Sequence, residues 1–362
     1  LTGCSAPRPV IVNDNFPALA QELLSFGIQQ ISERYIDPVR VSDLAIEGLR
    51  GLESIDASFE VEVAPANIVI GSDQIEDQVF FKPLTDNAEE WARMMVDTLE
   101  YCRAHSPLIR AAGEEKLIEA VIDGSVSILD AFSRYSGASQ AHENRAQRSG
   151  FGGIGVLLKA VKNGGLVLTV LESSPADIKG LMVNDLITHV DDIPINGLTT
   201  KAIHSAIRGK IGSDIKVTVR RGISGEYRFT LERKNMLLPT VKLTEENGIL
   251  RIWVSKFNNE TAIQITTKLQ KAIQLAEKTV LGLIMDLRGN PGGVLSQAIK
   301  VADLFLVSGK ILSTHGRHPS SKNEYLAGKN DILDGLPLVV LINGQSASAA
   351  EIVAAALQDH ER

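Results

Sequence analysis

Apolar residues recur every three or four positions through most of the first 148 residues, which predicts a mainly helical region. The apolar positions of the first predicted helix, residues 18–35, are Leu19, Leu23, Leu24, Ile28 and Ile31. The same spacing predicts further helices at residues 41–52, 87–104 and 113–135. Residues 137–150 are polar and contain glycine and serine, so we expect a linker there.

The pattern changes after this stretch. Between residues 151 and 234, short β-branched and apolar runs are separated by glycines and polar turns, with a single helical stretch at 200–208. This spacing predicts a small β-rich module. From residue 235 onwards, apolar runs alternate with amphipathic stretches, and the runs at 280–287 and 336–342 are almost continuously apolar. Such runs suit parallel strands buried on both faces, so we expect a layered α/β core.

Composition and charge exclude several classes of protein. A length of 362 residues predicts two or three domains, with enough chain to bury a core without disulfides. The net charge of −7 and the lack of a Lys/Arg-rich block argue against a nucleic-acid partner. Even the longest apolar runs fall far short of the roughly 20 residues that a membrane-spanning helix needs.

The first eight residues resemble a bacterial lipobox followed by a short tether. They read Leu-Thr-Gly-Cys-Ser-Ala-Pro-Arg, and the resemblance implies an acyl chain on Cys4. We therefore expect a body anchored by lipid in the bacterial cell envelope, on the periplasmic side of the cytoplasmic membrane. The other cysteine, Cys102, is expected to be a buried apolar residue on a helix. Two cysteines form neither a metal site nor a disulfide framework, and no cofactor is expected.

Two turns could carry chemistry, because each follows a predicted buried strand and precedes a helix. The first is Asp-Leu-Arg-Gly-Asn-Pro-Gly-Gly at 286–293, whose glycines can expose backbone N–H groups to an anion or oxyanion. The alternative is an ordinary turn that needs glycine. The second is Asn-Gly-Gln-Ser-Ala-Ser-Ala-Ala-Glu at 343–351, where Ser346 or Ser348 is either an exposed hydroxyl or a helix cap.

Together these two segments resemble the carboxyl-terminal processing (tail-specific) proteases, which are serine peptidases. The motifs at 254–257, 153–156, 174–187 and 209–220 extend the resemblance upstream in the family's order. It implies an α/β (α+β multidomain) fold with a crotonase/ClpP-like protease core, a PDZ domain and a helical N-terminal region. The expected divisions are 1–8 lipobox and tether, 9–148 helical region, 149–234 PDZ domain and 235–362 protease core. The family pattern does not account for residues 57–114, which resemble an insertion.

The resemblance also implies roles for particular residues. Ser348 is expected to be the nucleophile, with the backbone N–H groups of Gly293 and Ala349 as the oxyanion hole. Gly292 is the neighbouring candidate if the turn is shifted by one residue. In the PDZ domain, the loop formed by Gly153, Ile154, Gly155 and Val156 is expected to bind the carboxylate of a substrate tail. The expected partners are proteins with apolar C-termini and the membrane, and a homo-oligomer is left open.

The family's general base is a lysine in a Gly-Lys-Gly segment about two dozen residues beyond the serine. No lysine follows Ser348 here, so we expect this sequence to be a fragment clipped at both ends, inactive by itself. His360 lies about three helical turns beyond Ser348, too far to replace that lysine. A catalytically inactive PDZ-bearing adaptor is the main alternative. Acyl-CoA chemistry of the crotonase type ranks last, because it does not explain the PDZ-like module.

Overall fold

A computed structural model describes residues 15–72, 75–222, 225–275, 279–329 and 331–362. The predicted lipobox, with Cys4, lies outside these residues. The described residues divide into two units, one that runs up to Ala141 and includes Ser313–Asn323, and one of His142–Leu312 with Glu324–Arg362. No helix within the described ranges combines the length and apolar character that crossing a bilayer requires.

Helices dominate the first unit: α1 (Phe16–Arg34), α2 (Val41–Arg50), α3 (Ala88–His105), α4 (Pro107–Ala112) and α5 (Glu114–Val126). The predicted inner face of α1 is partly wrong, because Leu19 and Leu23 are 44% and 43% exposed. The buried stripe instead runs at every fourth residue through Phe16, Ala20, Leu24 and Ile28. Ala20 is small and carries little hydrophobic signal, so the leucines beside it dominate the sequence pattern.

Residues 57–114, the unplaced stretch, form an integral part of this unit. A three-stranded antiparallel sheet comprises β1 (Phe59–Val63), β2 (Asn67–Ser72) and β3 (Ile75–Phe81), with β2 in the centre. Phe59, Ile68 and Ile70 from this sheet join the same buried cluster as Trp91 and Leu99 of α3. The stretch therefore supplies a large share of the unit's core.

A buried carboxylate joins the start of this stretch to its end. Asp56 accepts hydrogen bonds from the hydroxyls of Ser106 (2.6 Å) and Ser58 (2.7 Å). These bonds, above all the one from Ser106, hold the pKa of Asp56 below its usual range. Ser106 is itself buried and caps α4 by accepting from the Ile109 N–H at 3.1 Å.

Replacing Asp56 with alanine is expected to lower the free energy of unfolding at pH 7 by about 1–3 kcal/mol, because it leaves the buried Ser106 hydroxyl without its acceptor. Because folding lowers the pKa of Asp56, its contribution holds down to the usual carboxyl range and is lost as the pH falls further. Urea titrations at pH 7 and pH 3 should therefore give a smaller difference from wild type at pH 3. Asp43→Ala, which removes an exposed ion pair with Arg40, should change the free energy by less than about 1 kcal/mol. Equal losses in the two variants would contradict this account.

The prediction of a linker at 137–150 is wrong, because residues Ala138–Ser149 form the helix α6. Its alanines and long polar side chains are good helix formers, and tertiary contacts hold it in place. The Gln147 Oε1 atom accepts from Lys256 Nζ at 2.5 Å, and the Arg148 carbonyl accepts from the Asn259 N–H at 2.9 Å. A prediction from composition therefore missed a helix that is held by hydrogen bonds to residues 256 and 259.

The β-rich module begins with β4 (Phe151–Gly153), β5 (Val156–Val161) and β6 (Gly164–Val170). Its remaining elements are α7 (Pro175–Ile178), β7 (Leu186–Val190), β8 (Ile193–Pro194), α8 (Thr200–Ile207), β9 (Asp214–Arg221) and β10 (Gly225–Glu232). The main sheet has the antiparallel order β10-β9-β7-β6-β5, so β5 is an edge strand, and β8 pairs with β7. β11 (Lys234–Met236) pairs with β4 where the chain leaves the module.

The last region forms a four-stranded sheet in the order β12 (Val241–Glu246), β13 (Ile249–Val254), β14 (Gly282–Asp286) and β17 (Leu338–Leu341). The last three strands are parallel, while β12 is antiparallel to β13. Its other elements are α9 (Thr261–Leu275), α10 (Leu295–Asp303), the paired strands β15 (Lys310–Thr314) and β16 (Asn323–Leu326), and α11 (Ala349–Asp359). The predicted α/β multidomain class is confirmed. The loops after β13, β14 and β17 share one edge of the sheet, where parallel strands place ligand sites.

Candidate active site

The turns after β14 and β17 are joined by hydrogen bonds at the carboxyl edge of the sheet. The Ala347 N–H donates to the Asn290 carbonyl at 3.0 Å, and the Leu287 N–H donates to the Leu341 carbonyl at 2.8 Å. The Ser346 hydroxyl crosses in the same way to the Leu287 carbonyl at 2.8 Å. The structure therefore brings together the two segments that the sequence singles out.

The two serines of the second turn differ in their surroundings. Ser346 is half-buried, and besides donating to Leu287 its hydroxyl accepts from the Asn343 N–H at 3.0 Å. Ser348 is exposed and occupies the N-cap of α11, where its N–H donates to the Glu351 carboxylate at 2.5 Å. Ser346 therefore holds the turn, whereas Ser348 is an exposed residue that forms a capping box with Glu351 at the start of α11.

The backbone of Ser348 is strained. Its φ of 53° and ψ of −115° lie in a region that glycine favours, whereas an ordinary N-cap residue is extended. Such strain costs about 1–3 kcal/mol in a non-glycine residue and persists where the surrounding structure enforces it, often at functional sites. A capping role alone does not require this conformation. A sharp, strained strand-to-helix turn that exposes a serine hydroxyl is also the arrangement in which α/β-hydrolases hold their nucleophile.

The diglycine bend lies directly against Ser348. A Cβ atom added to Gly292 would lie 2.8 Å from Ser348 Cβ and 2.8 Å from the Ala349 nitrogen, and Gly292 has a φ of 91°. At Gly293, φ is 144° and an added Cβ would lie 2.0 Å from the Phe257 carbonyl oxygen. Both the left-handed backbone and the close approach therefore require glycine at this bend.

Two backbone amides, those of Gly293 and Ala349, lie at this point outside the sheet and helix hydrogen bonds. Phe257 and Gly293 form a parallel bridge whose bonds run from the Phe257 N–H to the Gly292 carbonyl and from the Val294 N–H to the Phe257 carbonyl. These bonds leave the Gly293 amide outside the pairing. Ala349 is the first residue of α11, so its N–H has no acceptor within the helix, and the helix dipole adds positive potential there. The structure thus places Ser348, Gly293 and Ala349 in one cluster.

Two side chains that the sequence analysis did not single out hold the first turn. Asn290 is fully buried, donates from Nδ2 to the Val254 carbonyl at 2.8 Å, and accepts from the Gly292 N–H at 2.8 Å. Asp286 is also buried and binds the guanidinium groups of Arg288 (2.8 Å) and Arg251 (2.5 Å). The bonds from Arg288 above all hold the pKa of Asp286 well below its usual range. These bonds fix the bend between two strands.

The structure excludes His360 as a replacement for the expected lysine base. His360 is the C-cap residue of α11, at the opposite end of that helix from Ser348. Its Nε2 atom lies 2.8 Å from the Lys310 carbonyl oxygen. Within the described ranges, no three His, Cys, Asp or Glu residues are grouped so that they could hold a metal ion.

The predicted tail-binding loop lies at one end of a groove between β5 and α8. Ile154 is buried, and its carbonyl accepts from the Ala176 N–H at 2.9 Å. Gly155 has a φ of 83°, and its carbonyl accepts from the Leu171 N–H at 2.8 Å. The groove beside this loop is mostly apolar and is lined by Gly153, Ile154, Gly155, Val156, Leu157, Leu171, His204 and Ile207, among others. Such a lining suits an apolar side chain next to a carboxylate.

Cys102 is confirmed as a buried free cysteine on α3. Burial raises the pKa of its thiol to about 12, so the thiol stays protonated near neutral pH. It therefore fills space in the core, as the sequence predicts.

Comparison with known proteins bears on the identity of the two domains. Residues 248–362 match peptidase family S41, and residues 152–228 match the PDZ domain. The carboxy-terminal-processing protease of Bartonella bacilliformis is 35% identical over 264 residues, which cover 72% of this chain and 61% of that protein. The carboxy-terminal processing protease CtpA of Bacillus subtilis is 30% identical over 262 residues, covering 72% and 55%. This chain belongs to the carboxyl-terminal processing protease family.

The chain spans somewhat more than half the length of these curated relatives of the family. Among solved structures, the photosystem II D1 C-terminal processing protease aligns with 97% of this chain and 80% of its own length. That alignment has 19% sequence identity and a TM-score of 0.40.

Proposed function

We propose that this protein is a serine endopeptidase of the bacterial cell envelope that recognises the C-terminal tails of proteins through its PDZ domain. The observation that carries the proposal is the strained, exposed Ser348 packed against the diglycine bend that contains Gly293. Membership of the carboxyl-terminal processing protease family supports the same reaction. The lipobox-like motif ending at Cys4 supports a lipid anchor on the periplasmic side of the membrane.

In the proposed reaction, the Ser348 hydroxyl attacks the carbonyl carbon of a substrate peptide bond. A neutral lysine, which the family resemblance places beyond Ser348 in the sequence, takes the hydroxyl proton as the Oγ–C bond forms. The amides of Gly293 and Ala349 donate to the oxygen that becomes negatively charged. The lysine then gives its proton to the leaving amine, and water hydrolyses the acyl-enzyme.

Tail recognition follows from the loop and the edge strand. The N–H groups of Ile154, Gly155 and Val156 are the proposed donors to the terminal carboxylate. An extended tail would then add to the sheet beside β5, with its last side chain in the apolar groove. An apolar C-terminal residue fits this lining best.

Amidation of the tail tests this step. A peptide with a free C-terminal valine is expected to bind this chain at least about tenfold more tightly than the same peptide with a C-terminal amide. The free acid supplies a charged acceptor to the loop amides, and such hydrogen bonds are worth about 1.5–3 kcal/mol each. Isothermal titration calorimetry measures both dissociation constants. Equal affinities would remove carboxylate recognition from the proposal, whereas tail binding without cleavage by the full-length protein would favour the adaptor.

A further inference from the structure

The stretch 57–114, which the family pattern does not account for, carries the whole net charge of the chain. It contains 11 of the 44 acidic residues and 4 of the 37 Lys and Arg residues, so the remainder of the chain has 33 of each and is neutral. The stretch also lies outside the two ranges that match family models, 152–228 and 248–362. Neither the proposed cleavage nor the proposed tail recognition explains this concentration of charge.

The three-stranded sheet of this stretch has one buried face and one exposed face. Ile68 and Ile70 of β2 belong to the core of the unit and are at most 1% exposed. Successive side chains of a strand point to opposite faces of the sheet. Val69 and Gly71 of β2 therefore belong to the other face, called the outer face below.

Apolar side chains form a strip along one side of this outer face. The strand register pairs Val69 with Val79 of β3, and Phe81 lies two residues further along β3 on the same face. Phe81 is 78% exposed and Val79 is 42% exposed. Single exposed apolar side chains are ordinary on protein surfaces, whereas contiguous ones mark interaction sites more often. The strip is therefore a candidate contact for a partner.

Three exposed carboxylates lie next to this strip on the same face. The register pairs Glu62 with Val69 and Glu60 with Gly71. Asp77 lies across Gly71 from Glu60, since a Cβ atom added to Gly71 would lie 2.1 Å from Asp77 Oδ1. In the part of the chain that the structure describes, none of the three carboxylates forms an ion pair with Lys, Arg or His. The outer face thus combines an apolar strip with an acidic row: Val69, Val79 and Phe81 with Glu60, Glu62 and Asp77.

The charge of this face selects the kind of partner that fits it. Neighbouring carboxylates repel one another, and a partner that brings Lys or Arg replaces this repulsion by attraction while its apolar side chains cover the strip. Lys82 does not supply that charge, because its ammonium group donates to the Ala64 carbonyl at 2.6 Å. The phosphates of nucleic acids and of anionic lipids carry the wrong sign. We propose that the outer face of the sheet binds a segment of another protein that combines basic and apolar side chains.

Amidated model peptides test this proposal on the whole chain, because they lack the free carboxylate that the PDZ loop is proposed to bind. One peptide of about ten residues alternates lysine with valine, a second alternates lysine with serine, and a third alternates glutamate with valine. The lysine–valine peptide is expected to bind at least about tenfold more tightly than either of the others, since it alone supplies both features. Isothermal titration calorimetry measures the three dissociation constants, and added salt should weaken the tightest of them.

Variants of the outer face locate the binding. Phe81→Ser removes the most exposed side chain of the strip, and the double variant Glu60→Gln, Glu62→Gln removes two charges while keeping the shape of both side chains. Each should weaken binding of the lysine–valine peptide at least about fivefold. Phe26→Ser is the matched control, because Phe26 is 65% exposed on α1 of the same unit and lies outside the outer face. It should leave the dissociation constant within about twofold of wild type.

Several results would overturn the proposal. Equal affinities of wild type for the three peptides would remove the selection by charge and apolar character, and this comparison does not depend on the folding of a variant. Unchanged affinity in both folded outer-face variants would move the binding elsewhere. Two further results would give the face to a different occupant: adsorption to vesicles of phosphatidylglycerol and phosphatidylethanolamine that Phe81→Ser abolishes, or a dimer in sedimentation that Phe81→Ser dissociates. Cleavage and tail recognition would stand in each case, because neither uses this sheet.

Discussion

Replacing Ser348 with alanine is expected to reduce cleavage of a peptide substrate by the full-length protein by at least about 10⁴-fold. Loss of a serine nucleophile has effects of this size because the acyl-enzyme route disappears, while binding and oxyanion stabilisation leave only a small residual rate. Single-turnover kinetics measure the change without interference from product release. Tail binding to the PDZ domain should stay within about twofold of wild type, since Ser348 lies outside the groove residues.

Glycine at position 348 provides the matched control for misfolding. It also lacks the hydroxyl, but it adopts a φ of 53° and a ψ of −115° with little strain. Ser348→Gly should therefore be as inactive as Ser348→Ala while unfolding at a free energy about 1–3 kcal/mol higher than Ser348→Ala. Cleavage by either variant within tenfold of wild type would assign the nucleophile to another residue.

Replacing Gly293 with alanine is expected to lower kcat by about 10²–10³-fold, the usual effect of losing one oxyanion donor. The added methyl group would start 2.0 Å from the Phe257 carbonyl oxygen, so the bend must move away from Phe257 and carry the Gly293 amide with it. The peptide dissociation constant of the PDZ domain should not change. Steady-state kinetics together with calorimetry separate these two effects.

Gly289 lies in the same turn and tests whether positive φ alone explains such a loss. Its φ is 72°, but an added Cβ meets no closer atom than the Gln345 side-chain oxygen at 3.7 Å. Gly289→Ala therefore carries backbone strain without forcing the bend to move, and kcat should fall by less than about tenfold. An equal fall in both variants would mean that the Gly293 amide has no special role.

Regular patterns in the sequence were enough to predict the fold class. The alternation of apolar runs with amphipathic stretches predicts the parallel strands β13, β14 and β17 and the helices between them. The expected burial on both faces holds for β14 but is wrong for the run at 336–342, because Val339 of β17 is 52% exposed. The family resemblance adds the PDZ module and the pair of segments at 286–293 and 343–351. The structure places those segments against each other, as Ala347 and Asn290 show by their hydrogen bond.

Side-chain contacts between residues far apart in the chain could not be predicted from the hydrophobic pattern of the sequence. Residues 137–150 look like a linker because their composition is polar, yet hydrogen bonds from Lys256 and Asn259 hold them as part of α6. Buried polar anchors such as Asn290 and Asp286 have no periodic signal either. The same holds for Thr200, whose hydroxyl meets an amide 40 residues earlier in the chain. Each of these depends on which segments the fold brings together.

The central claim is that the Ser348 hydroxyl faces the amides of Gly293 and Ala349. A crystal structure of the full-length protein with a peptide boronic acid tests it most directly, because boron bonds to a nucleophilic oxygen and mimics the tetrahedral intermediate. We predict a bond between boron and Ser348 Oγ, with one boronate oxygen about 2.7–3.1 Å from both amide nitrogens. A boronate bonded to any other side chain, or one at Ser348 whose oxygens all point away from the diglycine bend, would contradict the account.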